Sequence, residues 1–334
     1  MYKIITEGKA KIKVPKATKI SKELPVFYNP VMEFNRTVSV LLLKAIENKK
    51  MTLGLPLGGS GVRAVRFLKE LPKSKIKEVM INDIDKEAVK IIKHNLKLNK
   101  VKATVSNNDA NMFMLETQGL DYVDIDPFGS PNIFLDSAIK RLGRKGILAV
   151  TATDTGCLAG SFPKACKRKY WANPVKNDNM HENGLRILIR KVQLIGADHD
   201  KALIPIYSYF KDHYFRIFFR CEKGKQRVDK IIKQHGMFNQ AGPLWLGELW
   251  DKKIAGKLKG DKFLDIINRE SKIPVVGFYN LPKLVKKYKL KFLKQDEIIK
   301  RIKKAGYRAA VTHFANNSIR SNIELKKLIK LIKS

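Results

Sequence analysis

The sequence predicts an α/β chain in two parts: a doubly wound sheet ending in an antiparallel hairpin over residues 1–225, and a smaller α+β domain over 226–334. Three observations carry this. Short apolar runs alternate with amphipathic stretches between 51 and 153, as βαβ units require. Two β-rich runs then follow, separated only by Phe210-Lys211-Asp212. After Glu222 the chain turns polar and basic, which puts a boundary near 222–230.

Taken in order, residues 1–28 read as a basic extension without strong periodicity. Met51–Leu55 is a first strand; the glycine turn Gly58-Gly59-Ser60-Gly61 follows, then a helix to Glu70. Val79–Ile81 ends a second strand at Asn82-Asp83, and Asp85 caps a helix with Ala88, Val89, Ile92 and Leu96 on one face. Val101–Val105 and Leu120–Ile125 read as the third and fourth strands. Ser130-Pro131 opens a helix, with Ser as cap and Pro at its first position, that Gly143 closes before a fifth strand, Gly146–Thr153. Ala202–Tyr209 and His213–Cys221 form the closing hairpin. Beyond it, helices are predicted near 261–270, 282–289, 295–304 and 321–332, with strands near 275–279 and 307–312. Ser321-Asn322-Ile323-Glu324 has the form of a capping box for the last helix.

The charge balance points to a polyanion. There are 67 Lys+Arg against 31 Asp+Glu, a net charge of +36. Residues 223–334 hold 28 basic and 9 acidic residues, a net +19, so the excess runs through both parts. A heat-adapted surface normally pairs its lysines with glutamates, and here the acids are missing. Nucleic acid is the partner such a field attracts. The three cysteines, Cys157, Cys166 and Cys221, form no Cys-x-x-Cys pair, which excludes a zinc ribbon and a disulfide framework. No apolar run reaches the roughly 18 residues of a membrane span, and the lysine-rich start is not a signal peptide. These features together suggest the cytoplasm.

Two constellations carry chemistry. Gly58, Gly59 and Gly61 sit between a strand and a helix, where backbone N–H groups meet a nucleotide-like ligand. Asp83 ends the next strand and can accept both hydroxyls of a ribose. Asp126-Pro127-Phe128-Gly129 follows the fourth strand, which adjoins the first in a doubly wound sheet. An aromatic exocyclic amine is a poor nucleophile, because its lone pair is delocalised into the ring. Acceptors on its hydrogens localise that density and drain the proton as a new bond forms; Asp126 can do this, with Phe128 as a stacking face for the base. Phe27 and Arg36, in the run Val26–Arg36, are ambiguous on chemistry alone. His181-Glu182 and Asp212-His213 lack a third metal ligand and read as structural or RNA-facing, and Trp245 and Trp250 as core.

Over nearly its full length the chain resembles the tRNA guanine-26 N2-dimethyltransferase family. The resemblance lies in the order and spacing of Glu7–Lys11, Phe27–Arg36, Gly59–Arg66, Asn82–Asp85, Asp126–Pro131, Thr153–Gly156, His181-Glu182, Asp212–Tyr214, Gly242–Trp245 and Gly306–Phe314. It implies a Rossmann-type methyltransferase domain, a C-terminal tRNA-binding domain, and two successive methyl transfers from S-adenosyl-L-methionine to N2 of guanine 26. By position it implies Arg36, Arg63, Asp83, Asp109 and Ala110 as cofactor binders beside Gly59 and Gly61, and Asp126 as the catalytic carboxylate. Phe128 and Phe27 would hold the guanine. The chain departs from the family at Leu55, where an acidic residue is usual, and in having no four-cysteine zinc site. The expectation is therefore a monomeric tRNA-processing enzyme that needs no metal and no membrane.

Overall fold

The computed structural model describes residues 2–16, 26–291 and 293–333 and falls into two compact units. One comprises the residues up to Thr153 with Val192–Ile204 and Phe218–Lys230; the other comprises Asp154–Lys191, Pro205–Ile217 and the residues from Ile231 onward.

The chain starts with a hairpin, β1 (Tyr2–Glu7) and β2 (Ala10–Pro15), and continues through α1 (Glu33–Ala45), β3 (Met51–Leu55), α2 (Val62–Glu70), β4 (Ile76–Asn82) and α3 (Lys86–Leu98). Next come β5 (Thr104–Ser106), α4 (Ala110–Glu116), β6 (Leu120–Ile125), α5 (Asn132–Arg141) and β7 (Leu142–Ala152). After α6 (Thr155–Leu158), α7 (Pro163–Tyr170) and α8 (Met180–Ala197), the strands β8 (Lys201–Lys211) and β9 (Tyr214–Lys223) complete a seven-stranded sheet of order β5-β4-β3-β6-β7-β9-β8. Its first five strands pair in parallel. This is the doubly wound sheet with a terminal hairpin that the alternation predicts. The chain order reverses between β3 and β6, so the ligand crevice of such a sheet lies at the carboxyl ends of those strands.

Several boundaries differ from the sequence reading. Residues 2–15 form a paired hairpin; Ala10, Ile12 and Val14 are buried with Lys11 and Lys13 alternating between them, a period-two pattern at odds with an extension lacking periodicity. Residues 17–25 of the expected extension lie outside the described residues. The third strand starts later than expected because Val101 belongs to the helix stop. Its N–H bonds the Leu96 carbonyl at 3.1 Å while Lys100, at φ 55°, donates to Lys97 at 3.0 Å, the left-handed Schellman pattern. The fifth strand starts earlier, at Leu142, and a register shift against β6 accommodates Gly143 within it. Helix α5 accordingly ends at Arg141, and Pro131 rather than Ser130 stands at its cap position.

Hairpin strand β2 gains a partner of an unusual kind. Asn95 and Asn99, one turn apart on α3, bond its backbone on both sides: Lys13 N–H to Asn95 Oδ1 at 2.8 Å, Asn95 Nδ2 to Lys13 O at 3.1 Å, Lys11 N–H to Asn99 Oδ1 at 2.9 Å, and Asn99 Nδ2 to Lys11 O at 2.6 Å. Two side-chain amides thus do the work of a neighbouring strand.

Following α9 (Lys225–Ile232), the second unit adds β10 (His235–Phe238), β11 (Ala241–Trp245), α10 (Lys252–Lys257), α11 (Lys262–Glu270), β12 (Tyr279–Asn280), α12 (Leu281–Tyr288), α13 (Gln295–Lys304), β13 (Ala309–Val311), β14 (Ser318–Ser321) and α14 (Leu325–Lys333). Leu281, Ile298, Ile302, Ile319, Leu328 and Ile332 form its apolar core. A fully buried ionic cluster joins α8, α11 and β14. Glu182 pairs with Arg186 at 2.9 Å and Arg320 at 2.7 Å, while Glu270 pairs with Arg320 at 2.8 Å and His313 at 2.6 Å. Glu182 of the His181-Glu182 pair is therefore a structural ion, and His181 stacks on Phe210 at 3.9 Å. Trp245 and Trp250 are buried, as expected of core residues. The capping-box reading of Ser321 fails: Ser321 ends β14, its hydroxyl donates to Arg308 O and accepts from Ile323 N–H, and the last helix starts at Leu325.

Candidate active site

The expected cofactor residues at Gly59, Gly61, Asp83, Asp109 and Ala110 stand at carboxyl ends of β3, β4 and β5 or in the helix starts that follow. Gly61, at φ 77°, turns the chain into α2 through a backbone shape that favours glycine. A Cβ on Gly58 would come within 2.8 Å of Asn82 O, and one on Gly59 within 3.0 Å of Phe27 O, so the turn is packed close on both sides. Asp83 accepts from Gly59 N–H at 2.7 Å and from Asp85 N–H at 3.0 Å. Asp85 itself caps α3 through Glu87 and Ala88, which leaves Asp83 for another task. Burial pushes the Asp83 carboxyl above the usual range, outweighing the N–H groups of Asp85 and Gly59 that favour its ionised form. Asp109 caps α4 through Asn111 and Met112 with its side chain exposed, and Ala110 is buried beneath it.

Sequence reasoning gave Asn82 no role, although it fixes the spacing of these loops. Its amide donates to Pro56 O at 3.1 Å and Asn108 O at 2.9 Å and accepts from Asn108 N–H at 3.0 Å. The signal was a fully buried asparagine at a strand end, and burial is not readable from sequence.

The turn after β6 forms the second half of the site. Gly129, at φ 74°, is latched to the end of β7: its N–H bonds Thr153 Oγ1 at 2.7 Å and its carbonyl accepts from Thr153 N–H at 2.9 Å. Phe128 is 52% exposed, and the Phe27 ring meets it edge-on at 4.3 Å. Two aromatic residues 101 positions apart are thus brought together beside Asp126. Arg63 donates to Asp126, to Asn35 Oδ1 at 3.0 Å and to Ser39 Oγ at 2.8 Å, and it lies 3.2 Å from Asp124. The arginine expected among cofactor binders is therefore also the cation that holds Asp126.

Arg36 belongs to a different group. It forms a two-pronged pair with Glu7, at 2.7 and 2.5 Å, and donates to Asn29 O at 3.1 Å. Glu7 also accepts from Arg66 at 3.1 Å and from Tyr28 Oη at 2.9 Å. Burial resists ionisation of Glu7, but Arg36, Tyr28 and Arg66 outweigh it and hold its carboxyl below the usual range. Glu7 had no role in the sequence reading. It fastens the N-terminal hairpin to the Tyr28 loop and α1. Leu55 is buried at the end of β3. Among the described residues, no three His, Cys, Asp or Glu side chains gather in a possible metal site.

A doubly wound sheet of this order, with a glycine turn, an acid after its second strand and an Asp-Pro-Phe-Gly turn beside the switch point, is the architecture of a Rossmann-type methyltransferase. Residues 8–240 and 233–333 match the model of the N2,N2-dimethylguanosine tRNA methyltransferase family, and the chain belongs to that family. It is 37% identical to the tRNA (guanine(26)-N(2)/guanine(27)-N(2))-dimethyltransferase of Aquifex aeolicus, covering 98% of this chain and 95% of the relative. It is 35% identical to the tRNA (guanine(26)-N(2))-dimethyltransferase of Pyrococcus horikoshii, covering 98% and 97%. The solved complex of Trm1 from Pyrococcus horikoshii with S-adenosyl-L-methionine is similar over 99% of this chain and 100% of that one, at 33% identity and a TM-score of 0.89.

Proposed function

We propose that this chain is an S-adenosyl-L-methionine-dependent tRNA (guanine(26)-N2)-dimethyltransferase acting in the cytoplasm as a monomer. The observation that supports this most is the set of Asp126, held by Arg63, beside the Phe27–Phe128 pair at the switch point of the sheet. Residues 1–225 would bind the cofactor and the target base, and 226–334, at +17, the body of the tRNA.

The donor set fits the cofactor. The partly buried Asp83 carboxylate, whose ionised form burial disfavours, would gain from two ribose hydroxyls hydrogen bonds beyond those of Gly59 and Asp85. Gly59 and Gly61, with Asp109 and Ala110, would line the same crevice, and Arg36 or Arg63 would take the methionine carboxylate only by giving up a carboxylate partner of its own, Glu7 or Asp126. When bound, S-adenosyl-L-methionine supplies an electrophilic methyl group on its sulfonium sulfur. The remaining work is the protein's. Phe128 and Phe27 hold guanine out of its stack, since chemistry on a paired base requires extrusion. Asp126 accepts a hydrogen bond from the exocyclic N2–H, raises electron density on nitrogen, and takes the proton that the amine sheds as the N–C bond forms. One N–H remains after the first transfer, and Asp126 would serve the second once its proton has passed to solvent and the spent cofactor has been exchanged.

The test is incubation with cofactor and an unmodified tRNA transcript, followed by mass spectrometry of the nucleosides. N2,N2-Dimethylguanosine that vanishes when guanine 26 is replaced is the expected result. Methylation of adenine, or of a ring nitrogen, would overturn the reading.

A further inference from the structure

The second unit carries a feature that the methyl-transfer site does not use. Trp171 is 53% exposed and sits in the left-handed region, φ 55° and ψ 38°, as the cap residue of α7. That position favours glycine or asparagine, and a bulky aromatic there is strained. The chain nevertheless holds it firmly. Arg190 donates to the Trp171 carbonyl at 3.2 Å, and the Lys191 ammonium lies 2.9 Å from the centre of its ring. Two residues on, Asn173 exchanges backbone hydrogen bonds with Gly242 at 2.7 and 2.8 Å. A cation over one face of the indole leaves the exposed surface on the other face and the rim.

The surroundings are basic, and of their exposed cations Lys169 lies 3.8 Å from an acid, Asp154. Residues 155–176 contain Lys164, Lys167, Arg168, Lys169 and Lys176 and no acid, and all five cations are exposed. At the opposite end of α7 stands a second exposed ring, Phe162, at 64%. Cations that follow a phosphate backbone, interleaved with rings on which bases stack, are the composition of a surface for unpaired nucleotides. We infer that α7 and Trp171 form such a surface, on which an unpaired base of the RNA stacks against Trp171 while Lys167, Arg168 and Lys169 contact the flanking phosphates. The inference rests on the proposed tRNA substrate and adds a contact that takes no part in the chemistry.

The chain has three tryptophans, and Trp245 and Trp250 are buried with their indole N–H groups bonded to Glu248 O and Ser208 O. Trp171 is therefore a selective fluorescent reporter. Titration with unmodified tRNA transcript should quench the intrinsic fluorescence of the full chain, and Trp171→Phe should abolish the quench while keeping most of the affinity. Trp171→Asn, which suits the left-handed backbone, should weaken binding roughly tenfold to a hundredfold, with cofactor affinity and melting temperature unchanged. Wild-type affinity of Trp171→Asn for tRNA, or a quench that persists in Trp171→Phe, would overturn the assignment. Capture of a protein but no quench by RNA would do so as well. Because quench and affinity do not require turnover, a chain that binds RNA through Trp171 yet leaves guanine 26 unmethylated would refute the proposed reaction and keep this contact.

Discussion

Replacing Asp126 by Asn separates catalysis from folding, because the structure sets the two costs far apart. The Arg63–Asp126 pair is partly open to solvent, with the Asp126 side chain 20% exposed. After the change Arg63 still has Asp124 at 3.2 Å, Ser39 Oγ at 2.8 Å and Asn35 Oδ1 at 3.0 Å. No buried charge is abandoned, so the loss of stability should be only about 1 kcal/mol. The amide keeps one oxygen acceptor but is no base. Loss of a proton acceptor lowers turnover on the order of 10²–10⁴-fold, about 2.7–5.5 kcal/mol of barrier. The assay is single-turnover methyl transfer to tRNA at saturating cofactor, with mono- and dimethylguanosine resolved and urea unfolding run on the same sample. Some first methylation should persist while the second fails, and no excess of cofactor should restore the rate. Wild-type turnover, or a defect that disappears at saturating cofactor, would refute a catalytic Asp126.

Asp83→Ala should instead weaken cofactor binding by about 1.5–3 kcal/mol, read by calorimetry, with the rate largely restored at high cofactor. Since burial raises the Asp83 carboxyl, the wild-type chain should lose cofactor affinity on acidification at a higher pH than an ordinary aspartate would dictate. Glu7→Gln strips the buried carboxylate from Arg36 and Arg66 and should cost about 3–5 kcal/mol in urea unfolding, a far larger loss than Asp126→Asn. Glu270 titrates near 2 in the fold: burial resists ionisation, but His313 and Arg320 outweigh it. Its ionised form is the one the fold favours, so its contribution, on the order of 3 kcal/mol, is complete above pH 4.5 and fades as pH falls toward 2. Acid unfolding of Glu270→Gln should lack that segment of the curve. Affinity for tRNA should fall steeply with salt, by nearly one unit of log–log slope per phosphate contact; a flat response would remove the electrostatic part of the reading.

What was legible in the sequence was local. The strands Met51–Leu55 and Leu120–Ile125 and the helix Gln295–Lys304 match their predicted bounds, because each is a strong apolar pattern between clear stops. The Asp85 cap was readable for the same reason. Charge pairs between distant segments were not. Arg63 on Asp126 and Glu7 between Arg36 and Arg66 join residues 63, 29 and 59 positions apart, and no periodicity announces them. The alternation of Ala10–Val14 is present in the sequence, but the Asn95 and Asn99 side chains that pair its backbone sit on a distant helix, α3, and no local pattern points to them. The edge-on contact of Phe27 with Phe128 likewise joins distant segments and leaves no local pattern in the sequence.

That helix also acts as a gauge. Asn95 and Asn99 are one turn apart, a rise of about 6 Å, and alternate residues of a strand are about 6.7 Å apart, so the two amides accept β2 in a single register. A slip of one residue would break all four bonds and turn Lys11 and Lys13 toward the positions of Ile12 and Val14. It would also move Glu7 by about 3.3 Å, farther than its bonds to Arg36 can stretch. A one-residue deletion within Ala10–Val14 should therefore damage a site whose residues it never touches, whereas the same deletion in an ordinary basic tail would go unnoticed.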